Sequence, residues 1–188
     1  MTAAGMADTL ARALGDDPFY ARIFAAAHPG SAPAYFGAAL TEARAAGWVD
    51  QAGSPATGAA IWIDRTDAQA ARTRQDAIRD RMGKAALSAY RQLLHSMKTV
   101  CGPHLPTDAV YLSILGGAPQ AQGAGTGGAL VARGLTRVDG LGRPASLETF
   151  NRRSVPFYER HGFAVAAEVT EPLTGCPVWV MVRPRHPV

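Results

Sequence analysis

Lysine is nearly absent from this chain of 188 residues, since Lys84 and Lys98 are the only two among its 19 basic side chains. The net charge is only +4, and no basic cluster is interleaved with aromatic residues, so we expect no nucleic-acid partner. No run of acidic residues is present that would attract a basic peptide. No apolar run approaches the roughly 20 residues that cross a bilayer, which disfavours a membrane protein.

Cysteine is scarce as well, with only Cys101 and Cys176 in the chain. The N-terminus lacks a basic region followed by an apolar core, so we expect no export signal and a cytoplasmic location. In an unexported chain we expect these two thiols to stay reduced rather than form a disulfide. Neither lies near a histidine in a catalytic pattern, and no His/Cys/Asp group has metal-ligand spacing. The sequence therefore predicts neither a cysteine nucleophile nor a metal site.

The composition is that of a globular protein, with 47% hydrophobic and 18% charged residues, and residues 1–188 are most simply one domain. Apolar spacing and turn residues predict helices over residues 6–14, 19–27, 33–46, 67–81, 85–97 and 126–138. Strands are predicted at residues 48–49, 58–63, 109–115, 145–149 and 177–183. This order of elements predicts an α/β protein.

The most informative segment is a glycine loop between the predicted strand at 109–115 and the predicted helix at 126–138. Glycines let the backbone approach a ligand closely, and a helix N-terminus offers unpaired N–H groups with a partial positive charge. The pattern is typical of a pyrophosphate-binding loop, although a glycine-rich turn without a ligand would look the same. A P-loop is excluded because the loop has no lysine, and a dinucleotide fold would place its loop after the first strand. The loop consists of Gln122, Gly123, Ala124, Gly125, Thr126 and Gly127.

Two further motifs follow the loop in order. The first is Leu147-Glu148-Thr149 with Asn151, and the second is Phe157-Tyr158-Glu159-Arg160-x-Gly162-Phe163. Together with Gln-x-x-Gly-x-Gly at 122–127, they make the chain resemble the GCN5-related N-acetyltransferase (GNAT) family. Within that family it looks most like the small-molecule acetyltransferases of the puromycin N-acetyltransferase type. The resemblance is good over residues 108–184 and loose over the first half.

The resemblance implies the GNAT fold, a mixed and mostly antiparallel central sheet flanked by helices, with the cofactor bound by about residues 105–188. Members of the family usually open with a strand, whereas this chain begins at or just before its first helix. The first strand is therefore missing or atypical, and another part of the chain or a homodimer contact would cover that edge. Either a monomer or a homodimer is compatible with the sequence.

The resemblance also implies acetyl-CoA as cosubstrate, which suits a mildly basic protein. The glycine loop would hold the pyrophosphate. Leu115, Gly116 and Gly117 would contact the pantetheine arm, where a freed backbone N–H can face the thioester oxygen. For these glycines the alternative is a simple strand end. Asn151 and Ser154 would make polar contacts to the cofactor arm, although Ser154 by itself indicates only a helix N-cap.

Two residues are candidates for proton transfer. By resemblance, Tyr158 is the general acid, because a phenol with a pKa of about 10 can protonate a departing thiolate. Its alternative role is aromatic packing beside Phe157 and Phe163. Since Leu147 would enter the core, Glu148 would face the acceptor or solvent and act as general base. The alternative for Glu148 is a structural ion pair with an arginine such as Arg152.

The first half of the chain would shape the acceptor pocket, with aromatic side chains that could stack on a substrate or belong to the core: Tyr20, Tyr35, Trp48 and Trp62. His104 and His161 are weaker candidates, and His161, at a helix C-terminus, would instead interact with the helix dipole. We expect direct acetyl transfer to a primary amine of a small molecule, an antibiotic or a biosynthetic intermediate. The alternatives are acetylation of a protein amine and a non-catalytic CoA-binding module.

Overall fold

The structure is a computed structural model that describes residues 3–25, 27–53, 57–66, 73, 76–77, 81–121 and 123–186. Within these residues the helices are α1 (Ala3–Ala13), α2 (Pro18–Phe24), α3 (Ser31–Ala45), α4 (Lys84–Cys101), α5 (Thr126–Gly140) and α6 (Val155–Glu159). The strands are β1 (Val49–Ala52), β2 (Gly58–Asp64), β3 (Val110–Gly117), β4 (Ala145–Thr149), β5 (Ala164–Thr170) and β6 (Pro177–Arg183). The predicted helix at 67–81 lies mostly outside the described residues.

All of these strands form one sheet in the order β1-β2-β3-β4-β6-β5. Neighbouring strands are antiparallel except β3 and β4, which run parallel. The predicted fold class, a mixed and mostly antiparallel sheet flanked by helices, is confirmed. In the described part of the chain α1 comes before any strand, and β1 forms one edge of the sheet.

The parallel pair β3–β4 opens soon after it begins. Only Val110 with Ala145 and Tyr111 with Ser146 are paired, whereas β3 stays paired with β2 as far as Gly117. Beyond Tyr111, the backbone of β3 therefore has no strand on its β4 side. This fork between two adjacent strands opens a cleft in the middle of the sheet.

Strand β3 contains one extra residue next to the fork. Ile61 of β2 pairs with Ile114 and Trp62 pairs with Leu112, so Ser113 is left over as a β-bulge. The bulge changes the side on which the following residues lie, because Leu112 packs in the core on the α5 side and Ile114 packs in the core on the other side. Without the extra residue, the side chains at 112 and 114 would share one face of the sheet.

Two hydrophobic clusters cover the two faces of the sheet. One is formed with α1 to α4 and includes Leu10, Phe36, Leu40, Leu93 and Ile61. The other lies under α5 and includes Trp62, Val131, Leu135, Leu147 and Met181. Helix α5 comes especially close to the sheet at Gly134, where a Cβ atom would stand 2.1 Å from Nε1 of Trp62. Only glycine permits this approach.

Most predicted elements agree with the structure to within a few residues. Strand β3 extends to Gly117, so Gly116 and Gly117 belong to it. Residues 152–154 form a 3₁₀ turn, and α6 begins at Val155, directly after the predicted N-cap Ser154. Strand β5 was not predicted at all. Its residues are mostly exposed, so they lack the buried alternation from which strands are predicted.

Candidate active site

A cavity of about 830 Å³ occupies the fork between β3 and β4. Its floor is made by the diverging strands and its roof by the turn between α1 and α2, together with α4. Five predicted site residues line it, namely Leu115, Glu148, Asn151, Ser154 and Tyr158. All five tyrosines of the chain line it, namely Tyr20, Tyr35, Tyr90, Tyr111 and Tyr158.

Tyr158 lies on α6 and reaches the cavity from the side of β4. Its ring makes edge contacts with Phe157 and Phe163, at centroid distances of 5.1 and 6.1 Å. The ring thus packs against aromatic neighbours and also lines the cavity, while its catalytic role stays a prediction. Burial, helped by the negative charge of Asp17, raises the pKa of Tyr158 to about 12. The phenol is thus neutral throughout the physiological range and can act as a proton donor.

Glu148 enters the cavity from β4, on the face opposite the buried Leu147. Burial raises the pKa of Glu148, while a hydrogen bond from the phenol of Tyr111 and the positive charge of Arg65 act in the opposite direction. The cation that acts on this carboxylate is therefore Arg65, not the expected Arg152. Among the described residues, the Glu148 Oε2 atom is buried without a hydrogen-bond partner.

The glycine loop lies at the N-terminus of α5, directly beside α6. Gly123 and Gly125 have left-handed backbones, with φ of 80° and 76°, which other residues adopt only with strain. Gly125 at the N-cap position has no side chain to cap α5, and among the described residues the first N–H groups of the helix have no capping side chain. A Cβ at Gly127 would stand 3.6 Å from Phe157, the neighbour of Tyr158. Ala124 and Thr126 belong to the same loop, and Gln122 lies outside the described residues.

The two glycines at the end of β3 have a packing explanation. A Cβ at Gly116 would stand 2.9 Å from Leu10, and one at Gly117 would stand 2.8 Å from the carbonyl oxygen of Thr57. They pair with β2 and do not line the cavity, whereas Leu115 does. Their contact with a pantetheine arm stays a prediction.

Asn151 and Ser154 frame the turn between β4 and α6. The Asn151 side chain accepts a hydrogen bond of 3.0 Å from the backbone N–H of Arg153 and so closes the 3₁₀ turn. Ser154 occupies the N-cap position of α6, as predicted, but its hydroxyl makes no capping hydrogen bond. Both residues line the cavity, where Ser154 is available for another partner.

The aromatic residues of the first half divide into two groups. Tyr20 and Tyr35 line the cavity, whereas Trp62 is buried in the core and Trp48 lies under Arg137, 5.6 Å from its guanidinium carbon. Neither His104 nor His161 lines the cavity.

The pKa of His161 is set by its surroundings rather than by the helix dipole. Burial and the nearby Arg160 lower its pKa, whereas a stabilising helix C-terminus would raise it. The neutral imidazole stacks edge-on against Phe157 at 5.1 Å.

Tyr111, Arg65 and Asp17 are site residues that the sequence motifs did not indicate. Tyr111 alternates with the core residues Val110 and Leu112, and this pattern places it on the cavity face. Asp17 caps α2 by accepting a hydrogen bond of 2.9 Å from the N–H of Phe19, so the sequence signal that it gives is that of a helix start. Only the packing of α2 against α4 brings it to the cavity.

Other kinds of site find no support in the described residues. They contain no group of three or more histidine, cysteine or acidic side chains that could hold a metal ion. In the same part of the chain, no helix has both the length and the apolar character needed to span a membrane. Cys101 and Cys176 are free thiols, and burial raises the pKa of Cys101 to about 12, which leaves it unreactive.

Comparison with known proteins identifies the fold. No family model matches the chain. Over 99% of its length, it is similar to 92% of a Corynebacterium glutamicum protein described as histone acetyltransferase HPA2 and related acetyltransferase, with 21% identity and a TM-score of 0.65. Over 95% of its length, it is similar to 95% of a polyamine N-acetyltransferase of Drosophila melanogaster, with 17% identity and a TM-score of 0.61.

An agmatine N-acetyltransferase gives the same result, with 18% identity, a TM-score of 0.61, and coverage of 95% of this chain and 94% of that one. At such identities the similarity establishes the fold. The chain has the fold of the GCN5-related N-acetyltransferases, as its motifs predict.

Proposed function

We propose that this protein is an acetyl-CoA-dependent N-acetyltransferase that passes an acetyl group directly to a primary amine of a small molecule. The observation that carries the proposal is the meeting of Tyr158 and Glu148 in one cavity, at the fork of β3 and β4. The glycine loop lies directly beside the helix that carries Tyr158. The fold is shared with proteins described as N-acetyltransferases, and we propose one such domain over residues 1–188.

The residues present fit coenzyme A. Around Gly123 and Gly125 there is open space, since no atom lies within 4 Å of the Cβ position that either would have. Backbone N–H groups from Gly123 to Gly127 would hold the diphosphate there. Backbone groups of β3 beyond Tyr111, which have no strand on the β4 side, would bind the pantetheine arm. When bound, acetyl-CoA supplies an acetyl group activated as a thioester.

Glu148 and Tyr158 would divide the proton transfers between them. Glu148 lines the cavity, so its carboxylate would accept a proton from the attacking amine. The raised pKa of Glu148 brings its basicity closer to that of an amine. Tyr158, kept neutral by burial, would donate its proton to the departing thiolate, whose pKa is about 8.5 by comparison with cysteine.

The walls of the cavity suit a small amine with an apolar or aromatic part. Phe19, Tyr20 and Tyr90 supply flat apolar surface, and the carboxylates of Asp16 and Asp17 lie at the same turn. Two of the structural neighbours are described as polyamine and agmatine N-acetyltransferases, which is in line with a small amine acceptor. We propose an antibiotic or a biosynthetic intermediate as the acceptor.

The acceptor should also be an amine that is easily neutralised. At pH 7, deprotonating an amine with a pKa of about 7.8 costs roughly 1 kcal/mol, and for a pKa of about 10.4 the cost is roughly 4.6 kcal/mol. A single buried carboxylate as base favours the first kind. An α-amino group or an amine of similar pKa is therefore the proposed reacting group.

The test is the release of free CoA thiol from acetyl-CoA, measured over a panel of amines that includes aminoacyl nucleosides, aminoglycosides and polyamines. With the best amine, Tyr158→Phe should lower kcat by about 100-fold, the usual contribution of a general acid, and leave the dissociation constant of CoA within about twofold. Tyr90→Phe, which removes a hydroxyl from the opposite wall, should act on KM rather than on kcat. Equal kcat values for Tyr158→Phe and the wild type would rule out the general-acid role of Tyr158. If none of the amines on the panel causes release of CoA thiol, the proposed acceptor class is contradicted.

A further inference from the structure

Tyr111 and Glu148 lie on the same face of the sheet, at the point where β3 and β4 part. Tyr111 is the register partner of Ser146, and this is the last pair that the two strands share. Leu147 packs in the core on the α5 side, so Ser146 and Glu148 face the other side. By the same alternation, Val110 and Leu112 face α5 and Tyr111 faces the cavity. The two side chains therefore meet across the opening of the fork.

Two contacts involve the Tyr111 side chain, one with Glu148 and one with Arg65. The phenol of Tyr111 donates a hydrogen bond to the Glu148 carboxylate. The guanidinium carbon of Arg65 lies 5.4 Å from the centre of the Tyr111 ring, at a distance typical of a cation–π contact. These contacts hold the Glu148 carboxylate and the Tyr111 ring together in the wall of the cavity.

We propose that Tyr111 is a positioning residue, which holds the Glu148 carboxylate in the cavity wall where the acceptor amine would bind, and that Arg65 holds the ring of Tyr111 in place. This inference rests on the proposed function in one respect, the role of Glu148 as general base. Tyr111 is outside the motifs that indicate the family, and its part in the site follows from the alternation along β3 and the register with β4.

The electrostatic surroundings of Glu148 come from every element packed around it. They comprise Arg65 after β2, Tyr111 on β3, Tyr20 on α2, Tyr35 on α3, Tyr90, Lys98 and Cys101 on α4, Asp16 and Asp17 in the turn between α1 and α2, and Tyr158 on α6. Among these, the hydrogen bond from Tyr111 and then the charge of Arg65 lower the pKa of Glu148, against the larger effect of burial. Burial and the charge of Glu148 in turn raise the pKa of Tyr111, which keeps its phenol a donor. Loss of the Tyr111 hydroxyl should therefore raise the pKa of Glu148.

Tyr111→Phe tests the inference by two independent readouts. The first is the titration of the Glu148 carboxyl carbon by NMR in the protein without substrate, with Glu148→Gln to assign the signal. In Tyr111→Phe this titration should move to higher pH. The second is the pH profile of kcat/KM. On its acid side Tyr111→Phe should lose about tenfold, and on its plateau no more than about threefold, because a hydrogen bond to an ionised group stabilises the charged form.

Comparison variants separate positioning from a general loss of structure. Tyr90→Phe removes another hydroxyl from the cavity and should leave the Glu148 titration where it is. Arg65→Met should move it in the same direction as Tyr111→Phe, and Arg65→Lys, which keeps the charge, should restore most of the difference. If Tyr111→Phe does not fold, the two Arg65 variants still test the arrangement.

An unchanged Glu148 titration in Tyr111→Phe, or an equal movement in Tyr90→Phe, would overturn the inference. Failure of the proposed function looks different. In that case the wild type transfers no acetyl group to any amine, while the NMR titration still shows whether Tyr111 holds the Glu148 carboxylate.

Discussion

The glycine loop offers a sharp prediction, because the chain contains a matched control for it. Gly125 and Gly142 precede and follow the same helix, α5, with φ values of 76° and 60°. Neither has an atom within 4 Å of the Cβ position. Alanine at either position therefore causes the same kind of backbone strain and no steric clash. We expect each substitution to lower the free energy of unfolding by about 1–2 kcal/mol.

The two variants should differ only in binding coenzyme A. In a protein of this length, a loss of about 1 kcal/mol lowers the melting temperature by about 2–4 °C, and we expect similar decreases for both variants. In Gly125→Ala the strain would also disturb the N–H groups that we propose to hold the diphosphate. A lost hydrogen bond to a charged group is worth about 1.5–3 kcal/mol, so the dissociation constant of CoA should rise about tenfold or more.

Isothermal titration calorimetry with CoA, next to thermal unfolding of each variant, is the assay. For Gly142→Ala the dissociation constant should stay within about twofold of the wild type. The reasoning is refuted if both variants weaken CoA binding equally, or if Gly125→Ala loses stability without losing affinity, since the loop would then be a structural turn only.

Two further substitutions test the packing and the electrostatics. Gly134→Ala would place a methyl group 2.1 Å from Nε1 of Trp62, so it should lower the free energy of unfolding in urea by more than about 3 kcal/mol. The control is Gly140→Ala, whose Cβ position has no contact within 4 Å and which should change this free energy by less than about 1 kcal/mol. A mild effect of Gly134→Ala would show that α5 can move away from the sheet. Asp17→Asn removes the negative charge that helps to raise the pKa of Tyr158, so the ultraviolet titration of its phenolate, identified with Tyr158→Phe, should move to lower pH. The same substitution should bring the alkaline limit of activity to lower pH. An unchanged phenolate titration would show that Asp17 does not affect the pKa of Tyr158.

Local signals in the sequence were sufficient for much of the fold and for part of the site. Apolar spacing and turn residues predicted α1 to α5 and the strands β2, β3, β4 and β6, because their buried faces repeat with a helical or strand period. Strand β5 escaped because it is an exposed edge with few buried positions. Tyr158 and Glu148 were indicated by motifs and both line one cavity, while their roles stay proposals.

What could not be predicted depends on contacts between distant elements. The bulge at Ser113 determines on which side of the sheet the following residues of β3 lie. The sequence around Ser113 contains no local signal that predicts this bulge. Arg65 and Tyr111 reach Glu148 because β2, β3 and β4 lie side by side in the sheet. Trp62, a candidate for stacking on a substrate, is in the core instead, because Gly134 on α5 leaves room for its ring.

Hydrogen–deuterium exchange with and without coenzyme A tests the central claim most directly. If the diphosphate is held at the start of α5 and the pantetheine arm enters the fork, CoA should slow exchange in two separate segments, residues 123–128 and residues 112–117. Exchange along β1 and α3 should stay the same. Protection confined to other parts of the chain, or none at saturating CoA, would contradict the account.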